Sequence, residues 1–151
     1  MVFNNSDWLA QVKEDIVDPD REIIDPHHHL WPQADMYYNV PEFLADLTSG
    51  HNVVQTVFME CGAAYREDGP DHLKPVGETE FVAAAAAEMK AKGGPYIAGI
   101  VGHADLRGPH LEDVLDAHRD AANGLFRGIR HAGSRDTSGA TLRIPGRAPE
   151  R

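Results

Sequence analysis

Three consecutive histidines, His27, His28 and His29, follow an apolar segment near the start of the chain. Residues 23–31 read Ile-Ile-Asp-Pro-His-His-His-Leu-Trp, which is typical of a strand that ends in a polar site. Side chains two apart on a strand share a face, so Asp25, His27 and His29 are predicted to point one way and His28 the other. Because neutral imidazole is a common zinc ligand, His27 and His29 indicate a metal site. From spacing alone, solvated or core histidines explain the run equally well.

Apolar runs predict four strands, at residues 22–27, 52–61, 96–103 and 125–131. Ionisable side chains lie at the carboxyl end of each predicted strand, where parallel α/β proteins bind their ligands. Candidate catalytic residues are therefore His27, His29 and His103, and candidate substrate-binding residues are Glu60, Arg130 and His131. Arg130 is suited to a substrate carboxylate because its planar guanidinium binds two oxygens at once. The alternatives are a loop cap for Glu60, a turn at Asp105, a solvated His131 and an ordinary surface arginine.

Helical patterns separate these strands. They cover residues 41–49, 78–92 and 111–122, and a further amphipathic helix is predicted at residues 6–17, packed on the outside of the domain. The order βαβαβαβ predicts an α/β fold with a parallel sheet, and residues 62–77 are predicted to form a surface loop. Four histidines fall on predicted loops or helices and are expected at the surface: His51, His72, His110 and His118.

Composition narrows the classes of function. The chain has 24 acidic and 14 basic residues and a net charge of -10, which disfavours nucleic-acid binding. The sequence shows neither a secretion signal nor an apolar membrane segment. The single Cys61 cannot form an intrachain disulfide, and we expect a cytoplasmic protein. Residues 1–131 are predicted to form the folded part, and residues 132–151 an irregular basic tail. This composition fits a flexible tail and also fits truncation or a shifted reading frame.

The motifs together resemble a known family. Motifs for dinucleotide binding, for nucleotide phosphates and for a nucleophilic serine are absent. Residues 23–31 resemble the first-strand motif of the amidohydrolase superfamily, in its amidohydrolase-2 or lactonase-like branch, with His27 and His29 as its His-x-His pair. Residues 52–61, 99–106 and 126–131 add to the similarity, which spans about residues 8–132.

The resemblance implies a (β/α)8 barrel, a small-molecule substrate and hydrolysis of a lactone or related cyclic ester. It implies a divalent metal such as zinc or manganese at His27 and His29, although some relatives work without one. In that setting, His103 and His131 would orient the substrate and Arg130 would hold its carboxylate. A barrel of this kind needs about 250 residues, so the chain resembles the N-terminal half and is expected to be inactive alone. Homo-oligomerisation stays open.

Three other functions are compatible with the sequence. Non-oxidative decarboxylation occurs in the same broad family and keeps the same fold. A non-enzymatic half-barrel module that retains the histidines is the second. A phosphoesterase of the polymerase-and-histidinol-phosphatase type also begins with His-x-His, but no later run of metal-spaced acidic and histidine residues follows here.

Overall fold

The computed structural model describes residues 6–133, and the predicted basic tail at residues 132–151 lies almost wholly outside them. Within the described residues, four α-helices and four strands alternate along the chain. In chain order the elements are α1 (Ser6–Leu9), β1 (Ile23–His28), α2 (Val40–Leu47), β2 (Val53–Met59), a 3₁₀ turn (Asp71–Leu73), α3 (Val76–Ala91), β3 (Tyr96–Gly102), α4 (Leu111–Ala121) and β4 (Phe126–Ile129).

The predicted α/β class is confirmed, and the bounds of the strands and of α2 to α4 differ from the prediction by no more than three residues. The first helix is the exception. It was predicted over residues 6–17 but covers only Ser6–Leu9. Trp8 and Val12 are each 69% exposed, so the first part of the apolar stripe does not pack on the domain. Short helices need such packing, which explains why the pattern forms a single turn.

The sheet is parallel throughout, and its strands lie side by side in the order β1-β2-β3-β4. Crossovers between parallel strands are almost always right-handed, so strands added in one direction place their helices on one face. Contacts of α3 with β3, α2 and α4 agree with this arrangement. We call this side the helical face and the opposite side the open face.

The hydrophobic core lies between the sheet and the helices. Phe58 of β2 and Ile100 of β3 are fully buried, and they pack with Val82 and Met89 of α3. Burying each of these side chains contributes about 1.5 to 3 kcal/mol, which favours packing of the Ala-rich α3 on the sheet. Among the described residues 6–133, no helix has both the length and the apolar character needed to cross a membrane.

Two glycines of β3 show which side chains occupy each face. A Cβ added to Gly102 would lie 2.8 Å from Cε1 of His118, a residue of α4, so this position faces the helices. A Cβ added to Gly99 would lie 2.9 Å from Cγ of Arg127 and 3.6 Å from a methyl group of Val57. Gly99 lies three residues earlier and therefore points to the open face. Arg127 crosses that face and donates from Nη2 to the carbonyl oxygen of Ala98 at 2.8 Å.

Candidate functional site

His27 and His29 converge on one point. Their Nε2 atoms are 3.2 Å apart, and the rings meet edge to face with centroids separated by 4.9 Å. Two nitrogens bound to one zinc at about 2.0–2.1 Å in tetrahedral geometry are roughly 3.3 Å apart. The two nitrogens are hydrogen-bonded to each other, at the spacing that two ligands of a single metal ion would have.

A neighbouring strand fixes the ring of His29. Its Nδ1 lies 2.8 Å from the carbonyl oxygen of Met59, which accepts a hydrogen bond and therefore requires a proton on Nδ1. This leaves the lone pair of Nε2 facing His27. Burial lowers the pKa of His29 below the usual 6.5, against the raising effect of that carbonyl group. Metal-binding histidines usually donate their second ring N–H in this way, so His29 already has the tautomer of a ligand.

His28 points to the other side of β1, as the alternation of a strand requires. Its ring stacks on Phe43 of α2 with centroids 4.2 Å apart, and the side chain is buried. Burial lowers its pKa to about 4, so the ring is neutral and belongs to the core. Because His28 lies against a helix, His27 and His29 lie on the open face.

Asp25 serves the backbone of its own strand. Its Oδ1 accepts a hydrogen bond from the main-chain N–H of His27 at 3.0 Å. The carboxylate therefore stabilises the backbone of β1 at His27. Within the described residues, no third histidine, cysteine or acidic side chain joins His27 and His29 to form a three-ligand group.

Glu60 and Arg130, predicted separately as substrate-binding residues, are bound to each other. Nε of Arg130 donates to Oε1 of Glu60 at 2.7 Å, and Nη2 donates to the Glu60 carbonyl oxygen at 2.6 Å. The Glu60 side chain is 8% exposed and that of Arg130 is 32% exposed. Both charges act on the His29 ring, Arg130 lowering its pKa and Glu60 raising it, so the pair lies near the histidines.

Glu60 therefore occupies the Nε–Nη2 edge of the Arg130 guanidinium, one of the edges that could bind a substrate carboxylate with two hydrogen bonds. In the part of the chain that the structure describes, Nη1 of Arg130 makes no hydrogen bond. The guanidinium is held in place on one side, and the Arg130 side chain is 32% exposed. A substrate carboxylate would meet the other edge of the guanidinium, formed by Nη1 and the second N–H of Nη2.

His103 and His131 lie beside this pair. Nδ1 of His103 is 3.1 Å from the carbonyl oxygen of Arg130 and 4.0 Å from Oε2 of Glu60. Bonding to that carbonyl requires a proton on Nδ1, so in the neutral tautomer the lone pair of His103 is on Nε2. The rings of His103 and His131 meet edge to face at 5.4 Å. The structure thus brings together the ends of β2, β3 and β4.

Asp105 and His131 close a turn. Nδ1 of His131 accepts from the main-chain N–H of Leu106 at 3.2 Å and lies 3.5 Å from Oδ1 of Asp105. The main-chain N–H of Gly108 donates to the carbonyl oxygen of Asp105 at 3.0 Å. Hydrogen bonds from Arg107 lower the pKa of Asp105. Asp105 thus begins the turn at residues 105–108, which was the structural alternative for this residue.

The prediction that His118 lies at the surface is wrong. The side chain is fully buried, and it stacks on Phe126 with centroids 5.4 Å apart. Nε2 lies 3.0 Å from the carbonyl oxygen of His103, and Nδ1 lies 2.8 Å from Oγ1 of Thr79. Nε2 therefore donates while Nδ1 accepts, and burial lowers the pKa of the ring. His118 supports the chain that carries His103 from behind.

A buried carboxyl group, Glu78, was also missed. It is 1% exposed, and its Oε1 accepts from the main-chain N–H groups of Cys61 at 3.1 Å and Ala63 at 2.7 Å. Burial raises its pKa to about 7 and that of the Cys61 thiol to about 12. This Glu fixes the chain that follows Glu60, whereas the thiol stays protonated and unreactive. The position of Glu78 at the start of a predicted helix did not indicate that it binds the backbone of Cys61 and Ala63.

Comparison with known proteins finds a longer relative. A Sinorhizobium fredii protein, named uncharacterized protein y4mH, is 34% identical over 143 residues, which cover 80% of this chain and 43% of the relative. The chain therefore spans less than half the length of that protein. No protein-family model matches the chain, and no solved structure matches it. The relative's name states no activity.

Proposed function

We propose that this chain is the N-terminal part of a (β/α)8-barrel hydrolase of the amidohydrolase superfamily, which opens a lactone or related cyclic ester of a carboxylated small molecule. One observation carries the proposal. His27 and His29 aim their Nε2 atoms at a common point, 3.2 Å from each other, at the carboxyl end of the first strand of a parallel sheet.

The order of the strands supports a barrel. A doubly wound sheet reverses its strand order and carries helices on both faces, whereas a barrel adds strands in one direction with its helices outside. The four strands here follow the second pattern, and the open face would become the interior of the barrel. Further strands would come from a longer protein, as the length of the S. fredii relative allows.

The residues present fit a zinc or manganese ion. His27 and His29 would bind it, with at least one further protein ligand from outside the described residues, because catalytic zinc sites usually have three. Such an ion supplies an activated water and polarises the carbonyl group of an ester. The hydrogen bond from His29 to Met59 keeps the ligand nitrogen unprotonated, and the lowered pKa of His29 preserves this state as the solution becomes more acidic.

The other side chains would bind and orient the substrate. Nη1 of Arg130, held by Glu60, would donate a charge-assisted hydrogen bond to a substrate carboxylate. Nε2 of His103 would accept a proton or a hydrogen bond from the substrate, because Nδ1 is committed to the Arg130 carbonyl oxygen. His131 would border the same site through its edge-to-face contact with His103.

The experiment is a comparison of ring opening with carbon dioxide release. The chain is assayed alone and together with the part of the S. fredii relative outside the matched region, using carboxylated lactones with added zinc or manganese. We expect ring opening only in the combined sample, and its loss on His29→Ala but not on His51→Ala, an exposed control. Carbon dioxide release without ring opening would favour the decarboxylase, and ring opening that survives His29→Ala would contradict the assignment.

A further inference from the structure

A second group of possible metal ligands lies away from His27 and His29. His72 belongs to the 3₁₀ turn, while His110 and Asp113 begin α4. One donor atom from each of the three lies within 4.8 Å of the others. Among residues 6–133, no other group of three histidine, cysteine or acidic side chains brings its donor atoms this close together.

Local structure presents the three donors to one another. His110 is the N-cap of α4 and Asp113 lies three residues later, so the two share one side of the first helical turn. Nδ1 of His110 is 3.7 Å from Oδ2 of Asp113. The His72 ring stacks on His110 with centroids 4.2 Å apart and an angle of 19° between the planes. Two segments distant in sequence thus meet through their imidazoles.

We propose that His72, His110 and Asp113 form a binding site for a divalent transition metal such as zinc, cobalt or nickel. Two imidazole nitrogens and one carboxylate oxygen are donors that such ions prefer. Calcium and magnesium instead take sets of oxygen ligands, which this group does not provide. The remaining positions on the metal would be filled by water, because His110 and Asp113 are 53% and 71% exposed.

Metal binding requires an adjustment of these side chains. Donor atoms bound to one tetrahedral metal at about 2.0–2.1 Å are about 3.3 Å apart. The donors of this group lie within 4.8 Å of one another, so the largest separation has to close by no more than about 1.5 Å. The lone pairs of stacked imidazoles run side by side, and one ring must therefore turn out of the stack to share a metal. Neither histidine belongs to the hydrophobic core, so this rotation leaves the packing of the sheet unchanged.

A metal here would connect two loops of the sheet's carboxyl end. The 3₁₀ turn lies in the connection that follows β2, and His110 ends the connection that follows β3. These connections begin at Glu60 and His103, the residues of the candidate site. Metal binding would stabilise the native contact between them by mass action. This inference is independent of the reaction proposed above.

Cobalt(II) titration of the whole chain tests the site. The background variant carries His27→Ala and His29→Ala, so that only the second group is measured by calorimetry at pH 8. We expect one equivalent of cobalt, and at least about tenfold weaker binding on adding His72→Ala, His110→Ala or Asp113→Asn. His51→Ala, at an exposed histidine elsewhere, should leave the affinity unchanged.

A thermal-shift measurement on the otherwise native chain gives a second readout that does not depend on the background variant. The melting temperature should rise with added cobalt more in the native chain than in the His72→Ala/His110→Ala variant. No cobalt binding by the background variant, or binding and stabilisation that the His72 and His110 substitutions leave unchanged, would overturn the proposal.

Discussion

Nδ1 of His29 lies 2.8 Å from the carbonyl oxygen of Met59, so one strand sets the tautomer of a histidine on its neighbour. The residue after Met59 is Glu60, which in turn holds Arg130. The end of β2 thus organises groups from β1 and β4 together. A site built in this way depends on the register of the sheet and not on any single loop.

The pairing of Arg130 with Glu60 should contribute measurably to stability. Arg130→Met leaves a buried carboxylate without its cation, and we expect the free energy of unfolding in urea to fall by about 2–3 kcal/mol. The expected loss is smaller than the usual cost of breaking a fully buried ion pair because Arg130 is 32% exposed. Adding Glu60→Gln should recover part of the loss because it removes the unpaired charge.

The matched control for this prediction is Arg119→Met. Arg119 pairs with Asp116 on the surface of α4, where both side chains are more than half exposed. We expect its effect to stay within about 0.5 kcal/mol. Equal losses for Arg119→Met and Arg130→Met would mean that the Glu60 pair is no more than a surface contact.

The close approach of Gly102 to His118 gives a second prediction. Gly102→Ala places a Cβ 2.8 Å from the imidazole, and we expect it to reduce the free energy of unfolding by about 1–3 kcal/mol. In a His118→Ala background the same change should cost less than half as much, because the obstacle is gone. Gly128→Ala is the control, since nothing lies within 4 Å of its added Cβ. Additive losses from the two substitutions would disprove the contact.

Two buried groups should give opposing dependences of stability on pH. The pKa of His28 falls from its usual 6.5 to about 4, so its contribution is complete above pH 6.5 and is lost as the pH falls towards 4. The pKa of Glu78 rises from its usual 4.5 to about 7, so its contribution is complete below pH 4.5 and is lost as the pH rises towards 7. Each shift corresponds to about 3 kcal/mol.

Variants separate the two contributions. As the pH rises from 4.5 to 7, the free energy of unfolding of Glu78→Gln should increase relative to that of the parent chain. As the pH rises from 4 to 6.5, the free energy of unfolding of His28→Asn should decrease relative to that of the parent chain. Urea unfolding at several pH values measures both differences. The account of these groups fails if neither difference changes with pH.

Sequence patterns predicted the strands well because buried parallel strands consist of continuous apolar runs, as in Ile97–Ile100. They also predicted that His27 and His29 share a face, since this follows from the period of a strand. The partners of those residues could not be predicted. Glu60 and Arg130 are 70 residues apart, and only the sheet brings them together.

The burial of His118 was missed for a similar reason. On α4 it follows the apolar stripe, yet its type suggested a surface residue. His118 is buried because Gly102 has no side chain and leaves room for the ring, which then packs on Phe126 and bonds to the hydroxyl group of Thr79. These three residues come from three other elements. A period in one helix carries no information about such partners.

X-ray absorption at the zinc edge tests most directly whether His27 and His29 are metal ligands. The sample is the zinc-loaded chain carrying His72→Ala and His110→Ala, so that the second group cannot contribute. We expect two imidazole nitrogens at about 2.0–2.1 Å from the zinc, and one fewer in the same chain carrying His27→Ala. An imidazole count that stays the same when both His27 and His29 are replaced by alanine would contradict the central claim.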